Sequence, residues 1–545
     1  MIRLQNEDNL PISNVKIDGL TVTEIRKNVT ENGVTTLELS VKPDKAYDSY
    51  ELQEIRYQKD GVEQIYNTSV KISLQFYKNI ESFEDWQKIS TTDPENYRLI
   101  ADIDFSNKVN VNTGVVFNRL EGTDNGHTLK NLEITSTTAN ISFIKKIDTS
   151  VSNVIFDNIK VSTTASGNYA SIIQYTYGSM ENLTFQNITV DASKATYVGS
   201  ISQSYSTSIQ NIQLNNITVV GNGNVAGFIA QMDEADVQNI TLKTVNVKGS
   251  SNNIGGLVGS ISNVTSTLVR QFYIDADDVH VVSTGGTYHG ILYGNGGCSN
   301  STIKNSSVNG YNQVGGMSGS DSIYDVSYLI IENCVISGNQ YIGGIYGNGS
   351  RGIRYCCVSN SIIYGKNLSS SIVGGIVGQS SNGISYSGVY HTTITNHGDY
   401  TGGLMGRNRG SGNLQNTIQN CTIHGNNYVG GIAGGNMEDV ANGAGIRLNT
   451  IQATINASGS GAGGILGYYQ NNYIDTTGGG LHHIYSNLIE NSSISSGYNA
   501  GGLIGQVGAM KTANAINNNI IVANVEATND PSTAGIVVGN GDALT

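Results

Sequence analysis

The sequence is short of charge, proline and cysteine, and each shortage excludes something. Charged residues make up 13% of the chain. Low charge suits a buried or fibrous protein, but 38% hydrophobic content and a mean hydropathy of −0.18 exclude a membrane-embedded one. No apolar run approaches the about 20 residues of a spanning helix, so no membrane insertion is expected. The net charge is −13 and the pI about 5.1. A general nucleic-acid binder needs a basic face, so no nucleic-acid partner is expected, and docking on anionic lipid is disfavoured. The five cysteines, Cys298, Cys334, Cys356, Cys357 and Cys421, are odd in number and contain no Cys-x-x-Cys pair. Such a set is not a disulfide framework. The opening residues, Met1 to Asp8 (MIRLQNED), lack an apolar leader core. The chain therefore reads as an intracellular protein or as a segment of a larger one.

Proline also marks a boundary. Three of the four prolines, Pro11, Pro43 and Pro94, and 31 of the 73 charged residues lie in the first 105 positions. No further proline occurs until Pro531. In the first region apolar and polar residues alternate, as in Leu37-Glu-Leu39-Ser-Val41, the period of half-buried strands. Turn signals stand at Glu31-Asn-Gly33 and Lys59-Asp-Gly61. The expectation is a small antiparallel β-domain over residues 1–78. Ser82 before Glu84 and Asp85 is an N-cap followed by first-turn acids. Ile80, Phe83, Trp86 and Ile89 make one apolar face, so a short helix is predicted, then a strand from Tyr97 to Phe105. Residues 79–129 are expected to cap the glycine-rich remainder of the chain and lead into it.

What the chain has in abundance is glycine, 67 residues, and tyrosine, 30. From about residue 130 one unit recurs: an asparagine-bearing strand such as residues 180–190 (MENLTFQNITV), then a glycine signature. The signatures are IGGLVG, VGGMSG, IGGIYG, VGGIVG, TGGLMG, VGGIAG, AGGILG and AGGLIG, with second glycines at Gly256, Gly316, Gly344, Gly375, Gly403, Gly431, Gly464 and Gly502. Degenerate copies centre on Gly199, Gly227 and Gly290. A step of about 30 residues means a solenoid or a propeller. Two or three short strands per unit, rich in Ile and Val, favour a parallel β-helix over residues 130–545. Stacked coils pair every backbone group along the axis, and a proline would delete a ladder bond. Asparagines at turns should stack as amide ladders, and glycine should supply positive φ and close approach. The fold class is thus all-β: a parallel β-helix of about fourteen coils, roughly 70 Å long, preceded by a small antiparallel domain and a short helix. The last copy, residues 534–539, runs almost to the end without a polar cap, so the array is expected to continue beyond residue 545.

Several constellations have both a chemical and a plain reading. Asp275, Asp277, Asp278 and His280, with Arg270 nearby, form the densest acidic cluster of the array. Carboxylates on neighbouring coils could hold calcium beside an acidic sugar; the plain reading is a solvated insertion loop. His482 and His483 are adjacent, so in a strand they point apart and do not share a metal. Arg351, Arg354, Arg407 and Arg409 come after two signatures two steps apart. They could share one face as a basic partner site, or simply aid solubility. Tyrosines, for example Tyr341, Tyr400, Tyr428, Tyr468 and Tyr498, often sit just before the Gly-Gly pairs. They could line a sugar-binding strip, or stack to stiffen the coil edge. Cys334 and Cys421 occupy one repeat position and read as inward-facing hydrophobes. No catalytic or metal-binding residue emerges, and the substrate-binding residues stay unknown.

Residues 74–90 (LQFYKNIESFEDWQKIS), 95–107 (ENYRLIADIDFSN) and 121–134 (EGTDNGHTLKNLEI) resemble the N-terminal region of the immunoglobulin A1-specific zinc metallopeptidases of Gram-positive bacteria. The Gly-Gly-Leu-Val-Gly unit is similar to the short glycine repeat, often called GLUG, of those proteases and of bacterial surface adhesins. The resemblance implies a very large secreted or cell-wall-associated protease. Its zinc would be held by a His-Glu-x-x-His helix far downstream, and its partner would be a host glycoprotein such as immunoglobulin A1. None of the eight histidines here is followed by Glu, so no zinc ligand carries over and no cofactor is expected in this chain. The implied role is a non-catalytic scaffold or substrate-docking region. The alternatives are a surface adhesin built on the same repeat and a polysaccharide-active β-helix with its site near Asp275–His280.

Overall fold

The computed structural model describes residues 2–5, 8, 10–31, 34–43, 50–72, 76–123, 126–137, 140–262, 271–320, 325–367, 370–409, 412–437, 445–471, 483–510 and 515–541. The chain divides into two compact units, Met1–Lys78 and Asn79–Thr545. The first is a six-stranded sheet whose pairings are all antiparallel. Its alternating strands bury Ile12, Val15, Ile17, Leu20, Leu37, Leu52 and Ile55 in one cluster. The hairpin between Tyr50–Lys59 and Val62–Ile72 turns through Asp60 at φ 51° and Gly61 at φ 76°. Two positive φ values in a two-residue loop match the twist of the flanking strands.

The second unit is a parallel β-solenoid of about 13 turns. Its strands join one 44-stranded sheet plus two small ones. One coil runs through Leu329–Glu332, Val335–Gly338, Tyr341–Gly343, Tyr346–Gly349 and Ile353–Arg354. Each piece pairs in parallel with its counterpart one turn later. Like then stacks on like: Ile303, Ile331, Val358, Val389, Ile418 and Ile451 are in register and fully buried.

Parallel pairing starts earlier than residue 130. The predicted strand from Tyr97 to Phe105 is two strands, Glu95–Leu99 and Ile103–Asp104, separated by a bend. They pair with Val115–Gly122 and His127–Ser136, so this segment already forms the first rung. The helix is Phe83–Trp86, with the Ser82 hydroxyl accepting from the Asp85 amide at 3.2 Å. It carries Trp86 into the end of the core. The indole stacks on Phe143 at 4.6 Å and donates to the Asn112 carbonyl at 2.9 Å. With Phe105 and Phe117 it closes one end of the apolar interior, the job of a solenoid cap.

The signature glycines correct one expectation. None has a positive φ. They serve close approach: a Cβ on Gly375 would stand 2.0 Å from the Gly403 carbonyl oxygen, and one on Gly403 would stand 2.1 Å from that of Gly431. The left-handed positions belong mostly to asparagine, which loses little in αL because its short amide bonds locally. Asn153, Asn182, Asn211 and Asn239 have φ between 53° and 57° and pass one amide hydrogen bond from rung to rung at 2.9, 2.9 and 3.1 Å. A second ladder lies inside. Asn416, Asn449 and Asn487 are each 1% exposed. Every Nδ2 donates to the Oδ1 of the next rung, ending on Asn519, at 2.9 to 3.0 Å. Cys334 and Cys421 are buried, as expected, and burial pushes both thiols up to about 11.

The interior generates two stability predictions. Asn449→Ala strands buried donors and acceptors on two neighbouring rungs and should cost about 3 kcal/mol. The exposed Asn211→Ala should cost about 1 kcal/mol. Hydrogen exchange around each substituted rung, 182–239 for Asn211 and 416–519 for Asn449, measures the difference, and equal effects would contradict the ladder argument. His289 takes an aliphatic place between Ile254 and Val314 in register and is 0% exposed. Burial pushes its pKa from 6.5 down to about 4. Between those values the unfolded chain takes up a proton that the fold refuses, so stability is full at neutral pH and falls as the pH drops. The limiting loss is about 3 kcal/mol. In His289→Val, the drop in local melting temperature between pH 7 and pH 4.5 should shrink.

Candidate binding surface

The outer surface of the solenoid is set by two left-handed corner positions, five residues apart, on most rungs. Early rungs use Asn182 and Asn187, then Asn211 and Asn216. In the middle of the array the first position turns aromatic: Tyr328 pairs with Asn333, Tyr355 with Asn360, and Tyr386 with His391, all at φ between 48° and 55°. A left-handed tyrosine costs roughly 1–2 kcal/mol, which asparagine largely escapes. Stacking returns about 0.5–1.5 kcal/mol per ring pair. The rings do stack: Tyr328 to Tyr355 and Tyr355 to Tyr386 are both 5.1 Å between centroids, with interplanar angles of 9° and 15°. They are 55%, 47% and 42% exposed, so three strained aromatics stand in solvent.

The acidic cluster is not an insertion loop. Asp275, Asp277, Asp278 and His280 lie in the strand Gln271–Ser283, a regular rung with Ile274, Ala276, Val279 and Val281 inside. Asp278 fills the second corner at φ 59°. Neighbouring rungs do not bring further carboxylates alongside. Lys243 and Lys304 flank Asp277 in register, and Glu332 comes after Lys304 at 3.3 Å. The column alternates in sign, which stabilises a parallel sheet. Arg270, offered as a partner, falls outside the described residues. Among the described residues no group of three or more His, Cys, Asp or Glu side chains could hold a metal ion.

One arrangement here has the elements of a nucleophilic triad. The Ser307 hydroxyl meets His280 Nδ1 at 2.8 Å, and His280 Nε2 meets Asp278 Oδ1 at 2.9 Å. Thr244 donates to the other Asp278 oxygen at 2.9 Å. Two features oppose catalysis. The imidazole and carboxylate are 42% and 47% exposed, whereas activation needs a water-poor site. An oxyanion also needs free backbone donors, and those of His280 and Val282 sit in a strand paired on both sides. The chain Thr244–Asp278–His280–Ser307 is a polar ladder in place of asparagine.

The tyrosines around the Gly-Gly pairs form a separate stack. Tyr400 and Tyr428 are 5.2 Å apart, Tyr428 and Tyr468 4.8 Å, and the Arg407 guanidinium lies 4.4 Å over Tyr400. Tyr341 stands two rungs before Tyr400 through Ile372, and Tyr498 pairs with Ser460. The arginines are split among positions. Arg354 belongs to the small column with Ile384–Ser385 and Arg407 to the strand Met405–Asn408, while Arg351 and Arg409 occupy the corners after the signature strands. His482 lies outside the described residues, and of His483 only the backbone pairing with Ala515 is described. The ladder Tyr328–Tyr355–Tyr386 escaped the sequence reading, although its signal was present. Each tyrosine precedes the second corner residue by five positions, as the first asparagine does elsewhere.

No family model and no curated protein sequence matches the chain. Among solved structures, a similar chain is a crystal structure from Bacteroides ovatus provisionally assigned as an immunoglobulin A1 protease. The identity is 18% and the TM-score 0.23, over 58% of this chain and 75% of that one. A likeness at this level carries no argument about function.

The ladder reading of the Asp278 cluster predicts that Ser307→Ala and His280→Ala each cost about 1 kcal/mol or less, as exposed hydrogen bonds do. Neither should change hydrolysis of an activated ester such as p-nitrophenyl acetate. A loss of burst-phase hydrolysis in Ser307→Ala alone would contradict it.

Proposed function

We propose that this chain is a non-catalytic scaffold, the docking region of a large secreted or cell-surface protein that handles a macromolecular substrate. The observation that carries the reading is the division of labour on each rung. Interior positions and corner ladders are taken up by stacking, while the outward positions vary freely from turn to turn. A solenoid of this kind offers an extended binding surface along its length.

The segments that resemble the immunoglobulin A1-specific zinc metallopeptidases support a more specific version. They make up the strand-helix cap and first rungs, a piece whose sequence is constrained by Trp86 and its aromatic neighbours rather than by the repeat. On this version the parent is a zinc metalloendopeptidase, the zinc is held by a separate domain, and the solenoid docks a host glycoprotein. A surface adhesin is the second reading, favoured by the exposed tyrosine ladder.

The gene is the direct test. A His-Glu-x-x-His motif encoded downstream supports the peptidase version; further repeats ending in an anchor alone would overturn it in favour of the adhesin. In such a peptidase, deleting residues 79–545 should raise KM for an intact glycoprotein at least about tenfold, about 1.4 kcal/mol of docking. Cleavage of a short peptide should not change. Equal effects on both substrates would contradict a docking role.

A further inference from the structure

We propose that the outward face of rungs 328–394 is a binding strip for an extended, neutral oligosaccharide, with Ile330, Val335, Ile362 and Tyr390 as its apolar floor and the phenol edges of Tyr328, Tyr355 and Tyr386 along one side. The inference rests on the scaffold reading and deepens it by naming a ligand class for one face.

The outward residues of these rungs are unlike those on either side. Ile330, Val335 and Ile362 are 45%, 45% and 49% exposed. Val335 and Ile362 stand in register, with Thr393 next, and Ile330 is succeeded by Cys357 and Gly388. A Cβ on Gly388 would stand 2.3 Å from Tyr390 Cε2, so the Tyr390 ring lies across that glycine. Aromatic and aliphatic groups thus cover three consecutive turns. One rung earlier the counterparts of Ile330 and Val335 are Thr302 and Ser307; one rung after the strip the counterparts of Gly388, Tyr390 and Thr393 are Thr417, Gln419 and Thr422. A contiguous exposed apolar patch with a polar rim is a candidate ligand-binding groove.

Area, charge and period select the occupant. Three rungs at about 4.8 Å each make a strip about 15 Å long, a few hundred Å² at most. That is well below the about 800 Å² per partner of a stable protein interface, so a second copy or a folded partner would need more surface. Charge is nearly absent: Glu332 is engaged with Lys304 at 3.3 Å, and Arg354 stands at the margin. Acidic sugars and charged peptides find little to pair with. The rim offers hydroxyls and amides from Thr393, Thr417 and Gln419, which suit sugar hydroxyls. The tyrosines repeat once per rung, at 5.1 Å between centroids. The rings lie face to face along the axis, so each turn offers outward a ring edge with its phenol group. The step is comparable to the advance of one pyranose in an extended glycan, and successive sugars meet equivalent phenol edges. The strained left-handed backbone holds each phenol outward in a fixed orientation, which lowers the ordering cost of binding.

The test titrates the whole chain with neutral hexasaccharides of β-1,4-linked glucose, xylose, mannose and N-acetylglucosamine, by calorimetry. At least one should saturate in the micromolar to millimolar range. Tyr355→Asn is the informative variant, because asparagine is the corner residue of other rungs and keeps the fold. It should weaken binding at least about tenfold without lowering the melting temperature. Tyr428→Asn, on the separate stack, should bind like the parent. The proposal is overturned if none of the four sugars binds, if Tyr355→Asn binds unchanged, or if the strip proves to mediate self-association that Tyr355→Asn abolishes. None of these outcomes bears on whether a peptidase is encoded downstream.

Discussion

Everything in the solenoid answers to one constraint: each backbone group must find its partner one turn away, in register. That demand fixes the spacing between rungs, and the spacing fixes what can occupy each column. Where the chain turns inward, the carbonyl of the next rung lies where a Cβ would be, so only glycine fits, as at Gly375 and Gly403. Where it turns outward, φ becomes positive and the least strained residue is asparagine, whose amide also bridges to the next rung. Glycine and asparagine are therefore answers to two different corner problems. Their roles cannot be exchanged without a clash at one corner or lost hydrogen bonds at the other.

The same constraint explains why polar residues can be buried here. A lone buried amide is costly, but an amide stacked on identical amides is satisfied by its neighbours above and below. Asn449 illustrates this: its Oδ1 accepts from Asn416 while its Nδ2 donates to Asn487 and to the Asn413 carbonyl. His289 shows what happens without such a ladder. Its column neighbours are aliphatic, so the ring stays neutral and becomes a local acid-sensitive point.

The fold was legible in the sequence because the period was. Eight glycine signatures, the absence of proline, and the repeated asparagines specified a parallel solenoid, and Ser82 with the Ile80–Ile89 face specified the capping helix. The surface was less legible. In a strand, alternation separates inside from outside, but each left-handed corner resets the phase. Asp275 to His280 therefore looked like an irregular acidic insertion, although Asp278 is a corner residue in an ordinary rung. Tyr328, Tyr355 and Tyr386 stayed hidden for the same reason: their positions are defined by the second corner five residues on, and not by the Gly-Gly motif. The ladder of Asn416, Asn449 and Asn487 could be read as asparagine at turns, but its burial depends on which side of the corner it occupies.

Placing a bulky aromatic at a left-handed corner is then informative in a way that an exposed tyrosine elsewhere is not. A solenoid can fill that corner with little strain by using asparagine, and rungs 153–239 do so four times in succession. Tyr273 and Leu448 take that corner singly elsewhere, but only here, among the described residues, do three consecutive rungs carry tyrosine, at a backbone cost of roughly 1–2 kcal/mol each, of which two ring stacks return only part. A purely structural ladder would have had the less strained solution available one residue type away. Two of these rungs also carry Ile330, Val335 and Ile362 outward where the rung before them has Thr302 and Ser307, and the third lays Tyr390 across Gly388. Strain and exposed apolar surface coincide on one face, which is what a surface shaped by an external ligand would show and what stacking alone would not require.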